Sequence, residues 1–188
     1  MGLAVQDFEG GVIMSILNAI ETEYKGYRFR SRLEARWAVA FDAMGIKYEY
    51  EPEGFILNDG SKYLPDFRLL NVRHASYFNE FEPMYAEVKG VMSAYDLKRI
   101  ELFPAPIVVI GNIPNVVDDL YWENDSKKWY EWSHIFVHYD QYPGYFSKYK
   151  GEIWFCGTDH DEWDGGNLMF EGISAAKKAR FEHGESGV

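Results

Sequence analysis

The chain places an acid and a base two residues apart in Ala86-Glu87-Val88-Lys89-Gly90. It sets a second acid behind a proline in Tyr63-Leu64-Pro65-Asp66-Phe67. If residues 84–89 form a strand, Glu87 and Lys89 share a face and Val88 points to the opposite, buried one. A strand that spends two same-face positions in this way, just before a glycine, presents a site at its end. Pro65 imposes an extended approach, and Asp66 lies 21 residues upstream of Glu87. A neighbouring strand would therefore bring the two carboxylates side by side. Two carboxylates with open positions suit Mg2+ or Mn2+, which take oxygen ligands and keep several waters. The lysine is placed to orient or deprotonate an attacking water, while the metal stabilises charge developing on a phosphoryl group.

The elements that must position these residues can be read from periodicity and turn chemistry. Residues 24–29 read as a short strand. Ser31 opens a helix, with Glu34 at capping-box spacing. Leu33, Trp37, Ala40, Phe41 and Met44 recur at helical intervals, and Gly45 closes it. Residues 46–50 read as a strand. Residues 55–64 read as a hairpin around Asn58-Asp59-Gly60, running on into Asp66. Residues 71–83 read as a loop, 84–89 as a strand, 93–102 as a helix and 107–110 as a buried strand. The strand–helix–strand step makes the last pairing parallel. Beyond Gly111 the pattern weakens: strands are expected at 135–138 and 152–155, an acidic loop at 159–166 and a closing helix at 173–181.

This order of motifs resembles the PD-(D/E)xK nuclease superfamily. Pro65-Asp66 and Glu87-Val88-Lys89 match its signature, and Glu34 matches the acid it places on the first core helix. The stretch from Gly26 to Gly90 also looks like a group of small phage and bacterial proteins. These share the Arg-Ser-Arg-Leu-Glu-Ala-Arg-Trp helix, the Tyr-Glu-Pro-Glu-Gly and Tyr-Leu-Pro-Asp-Phe strands, and a tail like Ala179-Arg180-Phe181-Glu182-His183-Gly184-Glu185. The resemblance implies a restriction-endonuclease-like core: a mixed central sheet flanked by helices, in an α/β fold. It implies Asp66, Glu87 and the Val88 carbonyl as metal ligands, Glu34 as a further metal or water ligand, and Lys89 as the catalytic lysine. Glu34, Asp66, Glu87 and Lys89 would then be the catalytic set. It further implies Mg2+ or Mn2+ as cofactor, DNA as substrate and a 5′ phosphate on the product, with endonuclease favoured over exonuclease action.

Charge both supports and limits this reading. The net charge is −11 over 188 residues, which argues against a sequence-blind nucleic-acid binder. Residues 111–188 alone carry 14 acidic and 7 basic side chains. Yet Arg28, Arg30, Arg32 and Arg36 fall within nine residues, and guanidinium groups grip phosphate through forked hydrogen bonds. Lys98 and Arg99, on the helix after the motif, are further candidates for the nucleic-acid backbone. The alternative for the arginines is pairing with nearby acids such as Glu21, Glu23 and Glu49. Likewise Glu34 can serve simply as a capping residue, and Glu87 with Lys89 as a surface ion pair.

Other chemistries have less behind them. Cys156 is the single cysteine, so neither an intrachain disulfide nor a cysteine zinc site exists, and a reducing cytoplasm, bacterial or phage-infected, is the expected setting. His134 and His138 share a face but lack a third ligand for zinc. The acidic loop around His160 lacks EF-hand spacing. His183 is either a helix-end residue or an approach to the site. No nucleophile elbow and no P-loop is present. No apolar run reaches the ~18 residues of a membrane span, and no basic region precedes the apolar stretch 11–20, so no signal peptide is expected. The expected organisation is a lead-in over 1–20, a nuclease-like core over 21–110, and an aromatic, acidic extension over 111–188 packing on that core as one domain. A second reading belongs to another class: a non-catalytic protein-binding or inhibitor module on a nuclease scaffold, using the acidic C-terminal part. A homodimer also stays open.

Overall fold

A computed structural model of the protein describes residues 19–74, 83–113, 133–137, 140–157 and 168–181. The first element is a hairpin rather than the single strand expected over 24–29. Strands β1 (Thr22–Tyr24) and β2 (Tyr27–Phe29) pair antiparallel about Lys25 and Gly26, at φ 47° and 81°. Two consecutive positive-φ residues make the type of tight turn that matches strand twist. Helix α1 (Arg32–Met44) follows. Ser31 caps it by accepting from the Glu34 amide, and Gly45, at φ 73°, ends it in the left-handed conformation. β3 (Tyr48–Tyr50), the small hairpin β4 (Phe55–Ile56) and β5 (Lys62–Tyr63), β6 (Phe67–Leu69) and β7 (Val72–His74) come next. β8 (Met84–Val88), α2 (Ala94–Glu101) and β9 (Ile107–Ile110) complete the expected strand–helix–strand step, and β8 and β9 are parallel. β10 (Ser133–Val137), β11 (Asp140–Tyr149), β12 (Glu152–Gly157) and α3 (Met169–Lys178) close the described chain.

Eight strands lie in the order β3-β6-β8-β9-β10-β11-β12-β7, with parallel pairs only at β8–β9 and β12–β7. The fold is mixed α/β. β11 is shared between two partners: Asp140–Pro143 pair with β10, and the stretch from Gly144 to Tyr149 pairs with β12. The change of partner falls at a proline, which has no amide to offer a ladder. The sheet must also curl. β6 and β7 stand six places apart in the order, about 29 Å in a flat sheet. Yet only two residues separate Leu69 from Val72, and three chain steps reach about 11 Å. The loop expected over 71–83 thus begins with a strand that seals the far edge.

The curled sheet wraps α1. Trp37, Ala38, Phe41 and Met44 bury one side of the helix in a cluster with Phe29, Phe67, Phe146 and Phe155. Phe41 sits among the rings of Trp37, Tyr48, Phe67 and Phe146 at centroid distances of 5.2–6.1 Å. α3 lays Met169, Gly172, Ile173 and Ala176 on the same cluster. A Cβ at Gly172 would stand 2.9 Å from the Met44 side chain, which would have to shift to admit it. The C-terminal part therefore supplies strands and core residues to the same body, rather than only packing on it. α3 begins four residues before the expected helix, and β11 lies where no strand was expected. A second, smaller core on the other face gathers Leu57, Tyr63, Tyr85, Ile100, Phe103, Ile107 and Val109. β8 separates the two: Met84, Ala86 and Val88 face α1, and Tyr85 faces the smaller core. Among the described residues no helix is long and apolar enough to cross a membrane.

Candidate active site

Strand pairing puts the two acids together. β6 runs antiparallel to β8 with Phe67 opposite Ala86, so Asp66, just before β6, lies beside Glu87. Asp66 Oδ2 accepts the Val88 amide at 2.7 Å, and Oδ1 accepts Arg30 Nη2 at 2.8 Å. Glu87 Oε1 pairs with Lys89 Nζ at 2.9 Å, as the shared strand face requires. Lys89 also approaches Asp96 at 3.5 Å. Asp66 and Glu87 are only 3% and 4% exposed. The Asp66 carboxyl is raised to about 8, first by burial and then by the neighbouring Glu87 charge, against the pull of the Val88 amide and Arg30. Burial opposes the Lys89 charge, but Glu87, Asp96 and Asp66 together raise its pKa above the ordinary lysine value. Lys89 is therefore an ammonium at neutral pH.

Glu34 stands across the same cleft but is already engaged. Its Oε1 accepts the Ser31 hydroxyl at 2.7 Å, and its Oε2 accepts the Arg30 amide at 3.1 Å and the Tyr50 hydroxyl at 2.5 Å. The capping role and a place in the site coexist, with one change: Glu34 reaches back to the amide before the cap residue, not to that of Ser31. Tyr50 accepts the Arg30 amide at 3.0 Å as well. Its phenol is held well above its usual pKa by burial and then by the Glu34 hydrogen bond. Nothing in residue type or spacing marks Tyr50 as part of a site. Its position at the end of β3, opposite Phe67, becomes meaningful only once β3 pairs with β6.

A cleft of about 730 Å³ opens over these groups. Its lining holds four cations, Arg30, Lys62, Lys89 and Arg99, against three acids, Glu34, Asp66 and Glu87. Glu51 pairs with Arg30 at 2.6 Å and Asp96 stands 3.5 Å from Lys89, so the cleft gathers cations and acids of both signs in a chain of net charge −11. Of the six basic residues expected to meet nucleic acid, Arg30 and Arg99 reach this cleft. Arg28 pairs with Glu21 and lines a separate recess by the β1–β2 turn. Arg32, Arg36 and Lys98 do not line the cleft. Lys62 does, unforeseen, because it sits on the small hairpin that forms one wall. Arg99 donates to the Lys62 carbonyl and lies over the Tyr63 ring at 4.9 Å. Tyr63 is buried with its hydroxyl beside Glu87, short of good hydrogen-bond geometry, and burial, then the Glu87 charge and hydrogen bonding to it, hold its pKa far above the usual range.

The donor set fits a hard divalent cation. Glu87 Oε2 is buried without a well-formed hydrogen bond, the Tyr63 hydroxyl standing near the same carboxylate, and Glu87 lines the cleft beside Asp66. Among the described residues no three His, Cys, Asp or Glu side chains form a ready cage. A two-carboxylate site that leaves the remaining positions to water is how Mg2+ is commonly held. Arg30 and Lys89 meanwhile contact the two acids. His138, His160, His183 and the side chain of His134 lie outside the described residues. Compared with protein-family models, curated protein sequences and solved structures, the chain matches none of them.

Proposed function

We propose that the chain is a metal-dependent nuclease of the PD-(D/E)xK type, with a restriction-endonuclease-like core, hydrolysing DNA phosphodiester bonds in a cytoplasmic setting. The observation that carries this reading is the buried Asp66–Glu87 pair, with one Glu87 oxygen lacking a well-formed hydrogen bond, flanked by Lys89 in a cleft that Arg30, Lys62 and Arg99 also line. Asp66 and Glu87 would hold Mg2+ or Mn2+, with the Val88 carbonyl as the backbone ligand that the resemblance implies. The bound ion would supply Lewis-acid stabilisation of phosphoryl charge and a more acidic water. Lys89, held as an ammonium, would orient the attacking water and donate to a phosphate oxygen as charge develops there. Its raised pKa favours that role over proton abstraction. Arg30 and Arg99 would grip the flanking phosphates. Glu34 would act through water, since Ser31, Tyr50 and the Arg30 amide already occupy its oxygens.

The test is incubation with single-stranded, duplex and branched DNA in Mg2+, Mn2+ or EDTA, beside Lys89→Ala and Asp66→Ala proteins. Metal-dependent cutting is expected, reduced about 100-fold or more in both variants, the range for loss of a positioned catalytic group. Absence of cutting, or equal cutting by the variants, would overturn the proposal.

A further inference from the structure

Outside the cleft lining, an exposed apolar and aromatic rim follows Lys89 in the chain and touches Arg99, both of which line the cleft. Gly90 follows Lys89, and then Val91 and Met92 lead into α2, whose first turn carries Tyr95. Val91 is 83% and Tyr95 66% exposed, and Met92 is also exposed. Leu64, exposed too, lines the cleft itself. This rim is anchored at both ends. Asn112 donates to the Gly90 carbonyl at 3.0 Å, and Ser93 with Asp96 forms a full capping box at the start of α2. Arg99, one turn on from Tyr95, contacts the Tyr95 ring at 5.4 Å and the Tyr63 ring at 4.9 Å. A single guanidinium thus links an exposed ring at the mouth to a buried ring beside Glu87.

We propose that this rim, Val91, Met92 and Tyr95 with Arg99, is a stacking platform for unpaired bases, so that the substrate is single-stranded DNA. The inference rests on the nuclease reading and narrows its substrate. A closed duplex presents phosphates and groove edges, its base faces being stacked inside. It has little to offer an exposed ring beside a phosphate-binding arginine. A single strand offers both partners at once: phosphates for Arg30, Lys62 and Arg99, and a π-face for Tyr95. The charge argues for nucleic acid over a protein segment, because the exposed Tyr95 ring lies against Arg99, a cation of the cleft, in an otherwise acidic chain.

Fluorescence anisotropy of labelled oligothymidylate, competed with covalently closed relaxed duplex DNA, tests this. Lys89→Ala protein in Mg2+ is used as the parent so that no strand is cut. Oligothymidylate is expected to bind more tightly than the duplex. Adding Tyr95→Ala should weaken it about 5- to 150-fold, the range for losing one base–aromatic stack. Tyr95→Phe should restore it, and duplex binding should move with neither change. Equal binding of both DNAs, unaltered by Tyr95→Ala, would overturn the inference while leaving the nuclease reading intact if the wild type still cuts. Failure to bind or cut any DNA would overturn both.

Discussion

Replacing Glu87 by glutamine is expected to make the metal-free protein more stable and the metal-bound protein less stable than the wild type. Without metal, the wild type keeps Glu87 Oε2 buried without a well-formed hydrogen bond, beside the buried Asp66 carboxyl. A buried unsatisfied polar group costs about 1–3 kcal/mol, more when charged. Glutamine removes the charge with little change in shape. Its remaining oxygen can still accept from Lys89, whose pair with Glu87 is partly open to solvent and therefore weakly stabilising. A net gain of about 1–2 kcal/mol is expected, raising Tm by about 2–8 °C for a chain of this length. With Mg2+ at a hundred times its Kd, the wild type gains about 2.7 kcal/mol by linkage. The variant, having lost a ligand, gains little, so the order inverts. The pH dependence has a definite sign. The folded Asp66 carboxyl holds its proton up to about 8, against 3.8 for its ordinary value. Between those values the folded state binds more protons than the unfolded one, so metal-free stability falls as pH rises and is fullest below about 4 as far as this group is concerned. Glu87→Gln removes the largest like charge acting on Asp66 and should flatten that slope. Thermal and urea denaturation of both proteins in EDTA and in Mg2+, from pH 5 to about 8.5, reads all three effects. A variant less stable than wild type in EDTA, or a wild type indifferent to Mg2+ and Mn2+, would refute the reasoning.

Two further outcomes follow from the packing. Tyr50→Phe removes a hydroxyl that donates to Glu34 and accepts the Arg30 amide; a loss of about 1.5–3 kcal/mol is expected by denaturation, with cutting weakened through a misplaced Arg30. Phe146→Ala empties a fully buried site between Phe41 and Phe155. It is expected to cost about 3–5 kcal/mol and to lower one cooperative transition. Separate melting of the C-terminal part, seen by calorimetry, would contradict its place in the shared core.

The chemistry-bearing strand is legible in the sequence alone, because its logic is local. Alternation by itself puts Glu87 and Lys89 on one face and Val88 on the other. The Ser31 cap, the Gly45 stop and the apolar spacing of α1 are likewise short-range, and each lies where expected. Lys25-Gly26 is a local signal too, one that a single strand over 24–29 ignores: the Gly after a lysine marks the turn that splits the segment in two.

Tertiary structure decided what depends on residues far apart in sequence. Four arginines in nine residues look alike by type, yet only Arg30 reaches Asp66, because the end of the β1–β2 hairpin directs it there and leaves Arg28 with Glu21. Tyr50 and Lys62 join the site through strand pairing and a hairpin wall, neither of which leaves a mark in residue type. The place of β7 at the far edge, and of Phe146 and Phe155 beneath α1, comes from the curl of the sheet. Composition and spacing thus determined which groups could meet a phosphate. Which of them do so is set by long-range pairing, whose energy comes from burying a shared core rather than from any single stretch of chain.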